Sequence, residues 1–145
     1  MRCVDIYYKP ISESGKQMIN YVCKYAPVEL FKGFGQECAV LEEMPENFDK
    51  SDKIAHANLC GFGKSVIQAV LEGKVEELVL VNCCDSMRRV YDIIENTKKC
   101  KFLYMLDLPH EDNECENIKF AQSILRLKNA YERYSPVSYT HLTLP

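Results

Sequence analysis

The chain has 145 residues, of which 47% are hydrophobic, and its formal net charge at pH 7 is −3. This length is enough for one compact domain with a buried core. The acidic balance and the scattered cationic residues exclude the basic surface that binds nucleic acid or an anionic membrane. No apolar stretch approaches the roughly 18 residues that a membrane span needs, and the N-terminus lacks the layout of a secretory signal. We therefore expect a cytoplasmic protein.

The first half of the chain is predicted to contain two helices, a short strand and a polar loop. Residues 14–35, SGKQMINYVCKYAPVELFKGFG, indicate a helix followed by a second short one that ends at Gly33 and Gly35. Residues 37–43 predict a short strand. Residues 44–58 are polar and predict a loop.

The second half alternates helices with apolar strands. A helix is predicted from about Gly63, with Gly73 as its stop. Residues 77–83 and 101–108 are apolar runs typical of strands buried on both faces, and a long helix is expected over residues 114–134. This alternation predicts an α/β fold of the Rossmann or flavodoxin type, with a parallel sheet flanked by helices. Sites in such folds form beyond the carboxyl ends of the strands.

Eight cysteines are a high number for this length. A disulfide framework is typical of shorter, loop-rich secreted chains, so metal-bound or reactive thiols are the better interpretation of some of them. The remainder are expected to be buried as small hydrophobic residues; these are Cys3, Cys38, Cys100 and Cys115.

Two cysteines stand side by side where an apolar run gives way to an amphipathic one. Successive residues of a strand point to opposite sides. We therefore expect Cys83 to end the buried strand under a neighbouring helix, and Cys84 to lie at the mouth of the site. Asp85 is a good N-cap for a helix over residues 86–98.

The sequence does not match the motifs of a phosphate-binding loop or a zinc site. GFGKS lacks the first glycine of a phosphate-binding loop, because Asn58 occupies that position. Zinc binding has no support, since there is no Cys-x-x-Cys pair and the histidines lack ligand spacing. A nucleophilic Cys84 with a histidine base stays open, although no His or Asn pattern accompanies it.

Cys60 and Cys84 share a setting, because each comes directly before a predicted helix. Helix N-termini supply N–H donors and a positive potential, which suit an anionic thiolate-bound iron–sulfur centre. Ligands so far apart in sequence leave no diagnostic spacing, so the residues alone make this one hypothesis among several.

Five segments between Asn20 and Tyr134 together resemble the subunits of 2-hydroxyacyl-CoA dehydratases, which are related to benzoyl-CoA reductase subunits. Their order and spacing make the resemblance specific, although no single segment decides it. The segments are YVCKYAPVELFKGFG, ANLCGFGKS, LVLVNCCDSMRRVYDII, FLYMLDLPH and AQSILRLKNAYERYS.

This resemblance implies a [4Fe–4S] cluster held by cysteines from two α/β domains. Cys60 and Cys84 match ligand positions, whereas Cys23 matches a cysteine that only some branches have. It also implies a second dehydratase subunit and an ATP-hydrolysing iron–sulfur activator that delivers one electron. The implied reaction is loss of water from a 2-hydroxyacyl-CoA through a ketyl radical, which makes the enzyme a lyase.

Other branches of the resembling family leave alternatives open. One alternative is a reductase of aromatic thioesters. Another is a protein with a double-cubane [8Fe–9S] cluster, which the presence of Cys23 and the additional Cys83 favours. A non-catalytic electron-transfer or partner subunit is a third alternative. The catalytic residues are not identified by this resemblance.

The last nine residues, VSYTHLTLP, do not fit the segments before them. Back-translated, they resemble a sequencing-library adaptor read in one frame, so residues 137–145 are interpreted as non-native. Residues 1–136 would then be the N-terminal cluster-binding domain of a longer protein. We expect this portion alone to be inactive.

Overall fold

A computed structural model describes residues 18–42 and 44–135. Four strands alternate with helices, and none of the helices in these two ranges is long and apolar enough to cross a membrane. In chain order the elements are β1 (Met18–Tyr21), α1 (Val28–Gly33), β2 (Glu37–Val40), a 3-10 turn (Ser51–Lys53), α2 (Gly61–Leu71), β3 (Glu77–Val81), α3 (Asp85–Thr97), β4 (Phe102–Leu106) and α4 (Glu114–Tyr134).

The four strands form one parallel sheet in the order β2-β1-β3-β4. The carboxyl ends are in register, with Tyr21 opposite both Val40 and Val79, and Val81 opposite Leu106. All five residues of β3 are buried, as expected for a strand with a neighbour on each side and helices on both faces. The predicted α/β fold is confirmed.

Helices cover both faces of the sheet. Leu78 and Leu80 of β3 pack in one hydrophobic cluster with residues of α2 and α3. Val79, which points to the other side, packs in a second cluster with residues of α1 and α4. This division follows from the alternation of side chains along a strand. β3 therefore lies between α2 and α3 on one face of the sheet and α1 and α4 on the other.

The first predicted helix is wrong over the part that the structure describes. Residues 18–21 form the strand β1, which pairs with β2 on one side and β3 on the other. Ile19 in its middle is fully buried. Pairing with two strands that are distant in sequence outweighs the helical spacing of this short segment. Residues 14–17 of the predicted helix lie outside the described ranges.

The later elements follow their predictions closely. α4 has the predicted bounds, and α2 begins two residues earlier than expected, at Gly61. Gly73 has a φ of 76°, the left-handed conformation that ends helices at little steric cost to glycine. The long helices are therefore positioned as their hydrophobic periodicity indicates.

A buried carboxyl group ties α4 to the amino end of β3. Glu77 is 2% exposed, and its carboxylate accepts hydrogen bonds from the Tyr134 hydroxyl at 2.8 Å and the Tyr131 hydroxyl at 3.2 Å. Burial raises the pKa of Glu77, and the two tyrosine donors oppose that rise only in part. The group lies at the end of the sheet opposite the cysteines that follow the strands.

The raised pKa of Glu77 predicts a pH dependence of stability. Protons bind the folded carboxyl more readily than the unfolded one, so its contribution is greatest below the unfolded pKa and declines as pH rises through the folded pKa. Glu77→Gln removes this titration. We expect the stability of the wild type relative to Glu77→Gln to increase as pH falls from 7 to 4.5, measured by urea unfolding. A difference that is constant, or that shrinks on acidification, would contradict the assignment.

Candidate functional site

Three cysteine-bearing segments meet at the carboxyl edge of the sheet. Cys23 follows the end of β1 by two residues, and Cys83 follows the end of β3 by two. Because β1 and β3 are neighbouring parallel strands, these segments emerge side by side. α2 leads into the amino end of β3, so its N-terminus, with Cys60, also lies at the carboxyl edge. Cys84 directly follows Cys83, so the topology brings the three predicted site cysteines, Cys23, Cys60 and Cys84, to one edge.

Cys60 is the N-cap of α2. Its backbone is extended (φ −61°, ψ 151°), and its Sγ accepts a hydrogen bond from the Gly63 N–H at 3.3 Å. Asn, Asp, Ser and Thr usually take this role, so here a sulfur satisfies one of the free N–H groups of the first turn. The residue is exposed. This hydrogen bond holds the sulfur over the first turn of α2.

Cys84 is the N-cap of α3, with an extended backbone (φ −161°, ψ 165°). Its carbonyl accepts a hydrogen bond from the Met87 N–H at 3.1 Å, while its side chain makes no capping bond. The prediction that Asp85 caps this helix is wrong, because Asp85 is already the first helical residue. Cys84 is exposed, in agreement with its predicted position at the mouth of the site.

The prediction that Cys83 is buried at the end of the strand is also wrong. β3 ends at Val81, and the Cys83 N–H donates back to the Val81 carbonyl at 2.8 Å, which turns the chain out of the sheet. Cys83 is therefore exposed. Partial desolvation raises the pKa of its thiol, and the neighbouring Cys84 and Cys23 raise it further. Cys83 thus joins the thiols at this edge.

The remaining cysteines differ in their surroundings. Cys38 and Cys100 are half-buried, and burial raises the pKa of each thiol to about 11. Such thiols stay protonated at neutral pH, as expected of packing residues. Cys115 is exposed in the first turn of α4, so its predicted burial is wrong. Cys3 lies outside the described residues.

The thiols share an edge but do not form a finished metal site. Within residues 18–42 and 44–135, no three His, Cys, Asp or Glu side chains are grouped closely enough to hold a metal ion. The donors present are nevertheless of the right kind, since exposed thiols are the ligands that iron–sulfur clusters use. Cys60 and Cys84 are both exposed and stand at the starts of α2 and α3.

A polar network beside the thiols was not predicted from the sequence. The Asn82 side-chain amide donates to Asp107 at 3.1 Å, and the Arg88 Nε–H donates to the Asn82 side-chain oxygen at 2.6 Å. Asn82 and Asp107 each come directly after a strand, β3 and β4 respectively. Polar residues that follow neighbouring parallel strands share an edge, and this was the signal that could have revealed the network.

Comparison with known families identifies the family of this chain. The family model described as 2-hydroxyglutaryl-CoA dehydratase, D-component, matches residues 23–144, which is most of the chain. The chain belongs to this family. A separate comparison with curated proteins found no match.

The span that matches the dehydratase D-component family begins at Cys23 and contains Cys60, Cys83 and Cys84. All the thiols at the carboxyl edge therefore lie in family sequence. The family assignment also implies a partner subunit, since a D-component is one part of a dehydratase complex.

Proposed function

We propose that this chain is part of a subunit that eliminates water from a 2-hydroxyacyl-CoA, in the manner of the 2-hydroxyacyl-CoA dehydratases. One observation carries the proposal beyond the family assignment. Cys60 and Cys84 are the N-caps of α2 and α3, and both present exposed thiols at the carboxyl edge of the same sheet. Two thiols so placed suit a redox centre that faces a substrate.

The proposed cofactor is a [4Fe–4S] cluster with Cys60 and Cys84 as ligands. A bound cluster would supply the single electron that makes loss of an unactivated 2-hydroxyl group feasible. A Cys60 sulfur bound to the cluster would keep the Gly63 N–H as a hydrogen-bond donor, and hydrogen bonds to the sulfurs help to set a cluster's reduction potential. Cys23 is a third candidate ligand at the same edge. A further ligand would come from a second α/β domain.

A second subunit and an ATP-hydrolysing iron–sulfur activator complete the proposed system. Exposed aromatic side chains support a partner at this edge. Tyr25 is 57% exposed two residues after Cys23, and Phe62 is 37% exposed two residues after Cys60. Aromatic residues are enriched in protein interfaces, and a partner that covers them would also keep water from the thiols.

One observation favours an alternative within the same family. Cys83 is exposed beside Cys84, and Cys23 follows the neighbouring strand, so this edge has more thiols than the proposed ligands need. Additional thiols would suit a double-cubane [8Fe–9S] cluster. The alternative function is reduction of a thioester or another small molecule.

Stoichiometry separates the two functions. The complex containing this chain is isolated anaerobically and supplied with activator, ATP, reductant and a panel of 2-hydroxyacyl-CoA substrates. Dehydration yields one enoyl-CoA and one water per substrate and returns the electron. We therefore expect many turnovers per electron supplied. Reductant consumed in proportion to product, with no enoyl-CoA formed, would overturn the dehydratase proposal in favour of a reductase.

A further inference from the structure

The guanidinium group of Arg88 lies across the turn that carries the two adjacent cysteines. Its Nε–H donates to the Asn82 side-chain oxygen at 2.6 Å, and its Nη1 lies 3.7 Å from an Asp85 carboxylate oxygen. Asn82 and Asp85 directly flank Cys83 and Cys84 in the chain. One side chain therefore contacts the residues at both ends of the turn.

Through Asn82, the network also connects to the end of β4. Asn82 donates from its side chain to Asp107 at 3.1 Å and from its backbone to the Leu106 carbonyl at 2.8 Å. Arg88 is on the first turn of α3, and its backbone N–H lies 3.4 Å from the Cys84 carbonyl. Arg88, Asn82 and Asp107 thus link α3, the cysteine turn and the end of β4.

Core packing does not explain this network. The Arg88 side chain is 54% exposed and that of Asp85 is 96% exposed, so their ion pair contributes little to stability. The 2.6 Å bond instead restrains Asn82, the residue at which the chain leaves the sheet. This restraint acts on the turn alone. It therefore affects the direction in which Cys84 presents its thiol.

We propose that Arg88 is a positioning residue, which fixes the Cys83–Cys84 turn through Asn82 and places a positive charge across it. The effect of this charge on a reduction potential rests on the proposed function, in which a redox centre lies beside the turn. A centre beside the turn becomes more negative when it gains an electron, and a nearby cation favours that reduced form. Asp85 and Asp107 oppose the effect, and salt screens it because the network is exposed.

The test compares Arg88→Gln and Arg88→Lys with Arg89→Gln. Arg89 is the matched control, since it loses the same charge on the same helix and its ion pair is with Asp92 at 3.9 Å, away from the turn. The first readout is hydrogen exchange of the Asn82 and Cys83 amides in the iron-free chain. The second is the reduction potential of the reconstituted complex at low and high salt.

We expect about tenfold faster amide exchange in Arg88→Gln, the effect of losing one charge-assisted hydrogen bond. Its reduction potential should fall, and the fall should shrink at high salt. Arg88→Lys should restore the potential while leaving exchange fast, because an ammonium lacks the fork that spans Asn82 and Asp85. Arg89→Gln should match the wild type in both readouts.

Equal exchange rates in Arg88→Gln and Arg89→Gln would overturn the positioning role. Equal shifts of potential in these two variants would overturn the role of the charge. If the complex binds no iron, the proposed cofactor is wrong, and hydrogen exchange in the iron-free chain decides the role of Arg88 by itself.

Discussion

Replacing Tyr131 with alanine should lower the free energy of unfolding by about 4 kcal/mol, within the range found for removal of large buried aromatic side chains. Tyr131 is fully buried where α4 crosses the sheet. Its ring makes edge contacts with Phe31, Phe34 and Phe102, at centroid distances of 5.2, 5.1 and 5.0 Å. Alanine would leave a cavity among two rings at the end of α1 and one ring of β4. Since domains are typically stable by about 5–15 kcal/mol, this loss is a large share.

Tyr131→Phe separates packing from hydrogen bonding. It keeps the ring contacts and removes only the hydroxyl that donates to Glu77 at 3.2 Å, so we expect a loss of about 1 kcal/mol. Both variants would be measured by urea unfolding at pH 7. Similar losses for alanine and phenylalanine would contradict the assigned role of the ring.

Valine at position 63 should destabilise the protein by about 2 kcal/mol, since overpacking a filled contact typically costs 1–3 kcal/mol. A Cβ added to Gly63 would lie 3.0 Å from the Val90 side chain and 3.4 Å from the Cys60 sulfur. Valine adds two further methyl groups in a space shared by α2 and α3. We therefore also expect the Cys60 thiol to move from its capping position.

Gly61→Val is the matched control for this change. It makes the same substitution two residues earlier, where an added Cβ meets no atom within 4 Å. Thermal unfolding should leave Gly61→Val within about 0.5 kcal/mol of the wild type, as for most exposed substitutions. A loss for Gly61→Val as large as that for Gly63→Val would show that valine in this turn, rather than contact with α3, is the cause.

The core strands and long helices could be predicted because their patterns are local. The apolar run of β3 and the periodic seam of α4 identify those elements by themselves. β1 could not be predicted in this way, because its four residues gain their strand conformation from pairing with β2 and β3. The spacing of apolar residues within a segment does not indicate which distant strands it pairs with.

The part of the site that could be predicted is the part that depends on local sequence patterns. Cys60 and Cys84 stand directly before amphipathic segments, so their positions at helix starts followed from the sequence. The proximity of Cys83 to Cys23 did not, because it depends on β1 lying beside β3. The strand was also predicted to extend to residue 83, and only the backbone turn at Cys83 shows that it ends at Val81.

The interpretation of residues 137–145 as non-native stays a prediction, because those residues lie outside the described ranges. The same holds for a second α/β domain and for its cluster ligand. The family match shows the class of protein, and the ligand assignment depends on experiments with single cysteines.

The most direct test of the central claim is the iron content and visible absorbance of the complex after anaerobic reconstitution with iron and sulfide. Cys60→Ser and Cys84→Ser should each lose the cluster. Cys83→Ala and Cys115→Ser should keep it, since both change exposed cysteines near helix starts that are not among the proposed ligands. Loss in Cys83→Ala together with Cys84→Ser would favour the double-cubane alternative. Full iron binding in both Cys60→Ser and Cys84→Ser would contradict the account.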